Sequence, residues 1–163
     1  MTTMKNTNNI LILFLVMCFM NTYAQKPSVY KINDLTKRIF SNNDTTYVVN
    51  FWATWCKPCV AELPEFEKLH QAHKLEKVKV LLVSMDFKEE LDKKLKDFLE
   101  KNKYTSEIVL LDEVNGNDFI NKISESWSGA IPATLIVKPG NPIHKFHEGK
   151  LNLEMLEKLI SEK

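Results

Sequence analysis

Two long apolar segments predict strands in the middle of a parallel sheet. Residues 46–52 and 78–85 are almost continuously β-branched, aliphatic or aromatic, which is the pattern of strands buried on both faces. Shorter strands are predicted at residues 28–31, 108–111, 134–138 and 143–147. The last two flank the turn-forming Pro139-Gly140-Asn141 and are therefore expected to form a hairpin.

Apolar residues at helical spacing predict helices between these strands. The helices are expected at residues 33–40, 60–75, 88–103, 118–127 and 153–160. Because strands and helices alternate until a final hairpin and helix, the predicted fold class is α/β. The order suits a mixed sheet with one antiparallel edge strand and helices on both faces.

The first 24 residues have the pattern of a secretory signal peptide. Lys5 precedes an apolar block at 10–20, and Thr22 and Ala24 are small residues just before a cut after position 24. A membrane-spanning helix needs roughly 17 to 25 residues, so the shorter block favours cleavage over a retained anchor. Cleavage leaves residues 25–163 as one domain that is periplasmic or secreted.

Cys18 supports a third interpretation, in which the protein carries a lipid anchor. Residues 15–18 (LVMC) resemble a lipobox, although Met17 is bulky where a small residue is expected. The interpretation that we favour treats Cys18 as one more apolar residue of a discarded segment.

The charge of the expected mature chain is balanced. Lys5 is the only charged residue of segment 1–24, so 21 basic and 21 acidic residues remain. No polybasic run is present, which argues against nucleic acids and anionic membrane surfaces as partners. Cys56 and Cys59 are the remaining cysteines. A pair so close in sequence cannot join distant parts of a fold, so we expect it to carry chemistry.

Cys56 follows a predicted buried strand and opens a predicted helix. Unpaired N–H groups and the helix dipole at such a position stabilise an anion and lower the pKa of a thiol. Cys59 lies about one helical turn later, and Pro58 suits the first turn, where an N–H is not needed. The spacing predicts that Cys56 attacks a disulfide of a partner and that Cys59 resolves the mixed disulfide.

Other uses of a C-x-x-C pair fit this sequence less well. A zinc site needs two more ligands, and haem attachment needs a histidine where Val60 stands. A carrier of a soft ion such as Cu(I) remains an alternative, although no methionine or histidine cluster flanks the pair. His70 and His73 lack an evident third ligand, so we expect no metal and no cofactor.

Two segments match motifs of a known family. Residues 50–59 (NFWATWCKPC), followed by Glu62 and Pro64, form the first, and residues 129–134 (GAIPAT) form the second. Together they resemble the thioredoxin-like proteins, and specifically the TlpA/ResA-like branch of thiol–disulfide oxidoreductases. The resemblance covers about residues 28–163 and implies a thioredoxin-like fold.

The resemblance also implies how the site is built. Pro132 is expected to be cis and to pack beside the dithiol, and the backbone of Ile131 is expected to pair with an extended partner segment. Trp55, Pro58, Ile131 and Pro132 are therefore the candidate substrate-binding residues. A helix–strand insertion typical of the branch is expected at about residues 88–111.

Asn50 and Glu62 distinguish this sequence from thioredoxin itself. The strand position that holds a buried aspartate in thioredoxin is Asn50, which cannot take a proton. Glu62 matches the acidic residue of the ResA-like branch, and we expect it to move the proton of Cys59 during resolution. In the simpler alternative, Glu62 is a first-turn residue that only complements the helix dipole.

The family resemblance implies a reductant of disulfides in partner proteins, recharged by a membrane-bound electron donor. Reduction of apocytochrome c during haem maturation belongs to some members and is one option here. We expect a monomer. An oxidant or isomerase is the alternative, and a reduction potential near about −120 mV would favour it over a reductant, expected below about −200 mV.

Overall fold

The computed structural model describes residues 26–41, 43–138, 140 and 144–162. The predicted signal peptide at residues 1–24, with Cys18, lies outside the described residues and stays a prediction. No helix in the described ranges is both long enough and apolar enough to cross a membrane.

The strands of the described residues form one six-stranded mixed sheet. In chain order they are β1 (Ser28–Tyr30), β2 (Thr46–Trp52), β3 (Val78–Ser84), β4 (Glu107–Leu111), β5 (Ala133–Val137) and β6 (Lys145–Glu148). The spatial order is β1-β4-β3-β2-β5-β6, and β1, β4, β3 and β2 run parallel. β5 pairs antiparallel with both β2 and β6. The edge strand β6 is thus paired antiparallel with its neighbour, as predicted, but the strand that runs against all the others is the internal β5.

Three chain segments meet at one edge of this sheet. Trp52 is opposite Ser84 in the parallel pair β2–β3, so the carboxyl ends of these two strands lie side by side. β5 begins at the same edge because it runs the other way and pairs Ala133 with Phe51. The segments after β2, after β3 and before β5 are thereby brought together.

Helices cover both faces of the sheet, as the sequence predicts. The α-helices of the described residues are α1 (Ile32–Ile39), α2 (Lys57–Ala72), α3 (Lys96–Asn102), α4 (Ile120–Ile123) and α5 (Leu153–Ser161). One hydrophobic core contains buried residues of α1 and α4, and the other contains buried residues of α2, α3 and α5. β2 contributes alternate side chains to both cores, Val48 and Trp52 to the second and Val49 and Phe51 to the first.

Two predicted helices are interrupted. Between residues 88 and 103 the chain forms a 3₁₀ turn (Lys88–Glu90), a wider π-type turn (Leu91–Leu95) and then α3. Residues 118–127 were predicted as one helix, but only α4 is helical there, after a 3₁₀ turn at Gly116–Asp118. The Ser124 hydroxyl accepts a hydrogen bond from the Ser126 N–H, and such a local bond competes with continuation of a helix.

Glu67 connects the middle of α2 to the start of β4. Its carboxylate accepts hydrogen bonds from the Ser106 N–H (3.0 Å) and hydroxyl (2.7 Å) and from the Thr105 N–H (3.1 Å). Burial alone would raise the pKa of Glu67, but the hydrogen bonds from Thr105, Ser106 and Gln71 outweigh it and lower the pKa to about 2. The carboxylate is therefore ionised at neutral pH and holds the start of β4 against the helix.

Candidate active site

Cys56 and Cys59 form a disulfide at the start of α2, with their Cα atoms 5.3 Å apart. Cys56 is the N-cap residue, and its sulfur accepts a hydrogen bond from the Cys59 N–H at 3.3 Å. Pro58 occupies the first turn, as the sequence predicts. The helix begins at Lys57 rather than at the predicted residue 60, because the Cys56 cap and Pro58 in the first turn both stabilise a helix start within the cysteine motif.

The two cysteines differ in exposure. Cys56 is 6% exposed and Cys59 is fully buried. Lys57 and Pro58 are exposed beside them, and Trp55 is 63% exposed. A second molecule can therefore reach the sulfur of Cys56 next to an uncovered indole ring, but it cannot reach Cys59 directly.

The loop before β5 lies against Cys56. The Ile131–Pro132 peptide bond is cis, as the family resemblance implies. The carbonyl oxygen of Ile131 lies 3.7 Å from the sulfur of Cys56. Pro132 is buried, whereas Ile131 is partly exposed. The sequence motif 129–134 and the cysteine motif thus meet at one place.

Three contacts outside the cysteine motif hold this loop. The Trp127 indole N–H donates to the Ala130 carbonyl at 2.8 Å, and the Gly149 N–H donates to the Pro132 carbonyl at 2.8 Å. Glu148 accepts from the N–H and the hydroxyl of Ser128. Trp127 is buried and packs in the hydrophobic core.

Glu62 is fully buried and lies on α2, one turn after Cys59. Its Oε1 accepts from the Asn50 amide at 2.8 Å, and its Oε2 accepts from the Leu151 N–H at 2.8 Å. Burial raises the pKa of Glu62 to about 6, against the opposing effects of these two donors and of the Lys150 charge. Since α2 begins at Lys57, Glu62 is not in the first turn, and the helix-dipole interpretation was wrong.

A second buried carboxylate, missed by the sequence analysis, lies at the same edge. Asp86 follows β3 and accepts hydrogen bonds from the N–H (3.2 and 3.1 Å) and the hydroxyl (2.6 Å) of Thr54. The Ser84 hydroxyl also donates to it, at 2.7 Å. The sequence signal that could have identified Asp86 is its position just after a predicted parallel strand, at the sheet edge where Cys56 follows β2. Asp86 fixes Thr54, two residues before Cys56.

The described residues hold no group of three or more His, Cys, Asp and Glu side chains arranged to bind a metal. His73 instead lies within hydrogen-bond distance of Glu76 (2.8 Å) and Glu157 (2.9 Å), joining α2 to α5. Hydrogen bonding to Glu76 is the main cause that raises the pKa of His73.

Comparison with known proteins places this site in a family. The family model described as "AhpC/TSA family" matches residues 26–145. Sporulation thiol-disulfide oxidoreductase A of Bacillus subtilis is 29% identical over 121 residues, covering 74% of this chain and 70% of that protein. Thiol-disulfide oxidoreductase ResA of Oceanobacillus iheyensis is 28% identical over 116 residues, covering 71% of this chain. That match spans only 55% of the relative, so the chain corresponds to little more than half of it.

Solved structures agree with these relatives. The crystal structure of StoA from Bacillus subtilis has a TM-score of 0.55 at 27% identity, covering 74% of this chain and 85% of that one. A thioredoxin-related protein from Neisseria meningitidis serogroup B has a TM-score of 0.64 at 25% identity, covering 74% and 86%. The ResA-like resemblance and the thioredoxin-like fold are thereby confirmed. The chain belongs to the AhpC/TSA family, as a thiol–disulfide oxidoreductase with a thioredoxin-like fold.

Proposed function

We propose that this protein works outside the cytoplasm and reduces disulfides of partner proteins through Cys56 and Cys59. The observation that carries the proposal is the asymmetry of the pair: Cys56 is the slightly exposed N-cap of α2, and Cys59 is buried behind it. The N–H groups at the helix start favour a thiolate on Cys56 once the pair is reduced.

The exchange proceeds in two substitutions. The Cys56 thiolate attacks one sulfur of the partner disulfide, forms a mixed disulfide and releases the other partner sulfur as a thiolate, which takes up a proton. The Cys59 thiolate then attacks the Cys56 sulfur and releases the second partner thiolate. Two electrons pass to the partner, and the Cys56–Cys59 disulfide is the oxidised product.

Glu62 acts as the base for Cys59 in this scheme. A carboxyl whose pKa is about 6 is mostly ionised at neutral pH and can accept the thiol proton. It lies three residues after Cys59 on the same helix, and residues at this spacing are neighbours on a helix surface. Replacing Glu62 with Gln should alter the thiol titrations, and unchanged titrations would contradict this role.

Trp55, Pro58, Ile131 and Pro132 form the proposed binding surface for the partner. The Ile131 carbonyl faces the Cys56 sulfur, so an extended segment that pairs with this backbone brings its own disulfide to Cys56. The exposed indole of Trp55 adds apolar contact area beside it.

The location and the electron source rest on the sequence. The signal-like segment 1–24 supports export, and the ResA-like resemblance supports a membrane-bound donor that returns the disulfide to the dithiol. Apocytochrome c is one disulfide substrate to test. A direct test is to express the full chain with Cys59→Ala, isolate mixed disulfides and identify the trapped proteins, with Cys56→Ala/Cys59→Ala as the control.

The expected result is that exported, cysteine-containing proteins are trapped on Cys56 and are absent from the control. A measured potential below about −200 mV supports a reductant, and one near about −120 mV contradicts this direction of electron flow. Trapping of cytoplasmic proteins alone in the native host would contradict the proposed location.

A further inference from the structure

Within the described residues, the side-chain amide of Asn50 uses its NH₂ group in hydrogen bonds but not its oxygen. Its Nδ2 donates to Glu62 Oε1 at 2.8 Å, with longer contacts to Thr134 Oγ1 (3.3 Å) and the Ala133 carbonyl (3.5 Å). Its Oδ1 is buried and has no hydrogen-bond partner among the described residues. Most buried polar atoms in native proteins are paired, so an unpaired acceptor beside an ionisable carboxyl requires an explanation.

The chemistry of the two side chains supplies one. A carboxamide presents a donor on one side and an acceptor on the other, and a half-turn exchanges them with little change of shape. An ionised Glu62 can only accept hydrogen bonds, so it selects the orientation in which the NH₂ group faces it. A protonated Glu62 has an O–H donor and selects the opposite orientation, in which Asn50 Oδ1 faces it.

The surroundings decide which carboxyl oxygen takes the proton. Glu62 Oε2 is held by the Leu151 backbone N–H, which can only donate. Protonation therefore takes place on Oε1, the oxygen that faces Asn50. The Thr134 hydroxyl can either accept or donate, so it can follow both orientations of the amide.

We propose that Asn50 is a positioning residue for the proton of Glu62, and that its amide turns over each time Glu62 gains or loses that proton. Each protonation state then has a matching hydrogen bond to Asn50: N–H to carboxylate, or carboxylic O–H to Oδ1. The inference deepens the proposed role of Glu62 and rests on it for its catalytic meaning.

Few other charges face Glu62. On its own helix, Cys59 lies one turn earlier and is uncharged as a disulfide. From the segment before α5, Lys150 favours the ionised form. From β5 come the Thr134 hydroxyl and the Ala133 carbonyl, which carry no charge. A cleft lined by Ala61, Glu62, Glu65, Lys150, Leu151, Asn152 and Met155 borders the carboxyl on the side of α5.

The test is an NMR titration of the oxidised full chain from pH 4.5 to 8. The readouts are the Glu62 carboxyl carbon, the Asn50 side-chain amide and the NOEs between that amide and Thr134. Both residues should titrate with one midpoint, near pH 6, and the amide–Thr134 NOEs should weaken below it. Asn102 donates to the Phe98 carbonyl and serves as the reference amide, which should not follow this midpoint.

Two variants test the link between Asn50 and Glu62, and Thr134→Val serves as their control. In Glu62→Gln the Asn50 amide should no longer change with pH. In Asn50→Leu the Glu62 midpoint should rise by about half to one pH unit, roughly threefold to tenfold in proton affinity, because the charge-assisted hydrogen bond is the stronger of the two. Thr134→Val retains the Asn50–Glu62 pair and should move the midpoint less than Asn50→Leu.

The inference is overturned if the Asn50 amide and its NOEs stay constant while Glu62 titrates, or if the amide still titrates in Glu62→Gln. The titration of wild-type protein decides this even where a variant does not fold. All of these readouts use oxidised protein without a partner. They are therefore independent of whether Glu62 serves Cys59, which the thiol titrations of Glu62→Gln decide separately.

Discussion

The carboxylate of Asp86 accepts both the backbone N–H and the hydroxyl of Thr54, across the ends of two parallel strands. This contact fixes the chain two residues before Cys56. Asp86 thus contacts the chain just before the cysteine motif, whereas Glu62 lies just after the motif, so a buried carboxylate acts at each end of it. Their partners differ, since Asp86 holds the loop at Thr54, whereas Glu62 is part of α2 and is bound by Asn50 and Leu151.

Asp86→Ala should lower the free energy of unfolding by about 2 kcal/mol, because Thr54 and Ser84 lose their acceptor. It should also slow the reaction of the reduced Cys56 thiol with a small disulfide, since the preceding loop is released. Urea unfolding and stopped-flow measurements check the two effects. Asp118→Asn, at an exposed aspartate, is the control and should change neither. If Asp86→Ala is as stable as wild type, Asp86 does not have the proposed role of holding Thr54 and Ser84.

Glu62 should make the protein less stable as the pH rises. Its folded-state pKa of about 6 lies above the ordinary value of 4.5, so its stabilising effect is complete below pH 4.5 and is lost as the pH passes through 6. The free energy of unfolding of wild type, relative to that of Glu62→Gln, should therefore fall by about 2 kcal/mol between pH 4 and pH 8.

Urea unfolding of the oxidised proteins across this range measures that difference. Glu125→Gln changes an exposed glutamate and should follow wild type throughout. A constant difference between wild type and Glu62→Gln would show that Glu62 has no raised pKa in the folded protein.

The single-cysteine variants should react very differently. Cys56 in Cys59→Ala should react with an aromatic disulfide reagent roughly tenfold or more faster than Cys59 in Cys56→Ala, because only Cys56 is reachable at a helix start. Absorbance of the released thiol gives both rates. Equal rates would contradict the assignment of Cys56 as the attacking residue.

Replacing Trp55 should lower activity toward peptides, whereas replacing Trp127 should lower stability. Trp55→Ala removes an exposed ring and should change stability by less than about 0.5 kcal/mol. It should lower kcat/KM for a disulfide-containing peptide by about tenfold but leave the reaction with a small disulfide unchanged.

Trp127→Ala removes a buried ring and should cost about 3–5 kcal/mol of stability. Thermal unfolding and peptide-reduction assays on the two variants separate these effects. An equal loss of activity toward the peptide and the small disulfide in Trp55→Ala would contradict a binding role.

The sheet was predictable because its central strands are continuous apolar segments. β2 has the predicted bounds, and β3 ends one residue early. The failure at residues 118–127 has a specific cause. Phe119, Ile123 and Trp127 are all buried at helical spacing, but a turn at Ser124 rather than a helix brings Trp127 to the core. Spacing alone cannot distinguish these two routes.

The sequence predicts only those parts of the site whose residues are close together in the chain or belong to a recognised motif. Cys56, Pro58 and Cys59 lie within four positions, and their spacing indicates the chemistry. The contact between Glu62 and Leu151 spans 89 positions and uses a backbone N–H, which no side-chain pattern encodes. The Thr54–Asp86 contact spans 32 positions and depends on the parallel pairing of β2 with β3.

The Glu67 contacts have a consequence for protein engineering. The helix that starts at Cys56 is fastened at its midpoint to Thr105 and Ser106, inside the stretch expected to be the branch-specific insertion. Exchanging residues 88–111 for a shorter connection would thus leave the ionised Glu67 on the reactive helix without its donors from Thr105 and Ser106. Chimaeras should therefore transfer Glu67 together with Thr105 and Ser106, as one exchangeable unit.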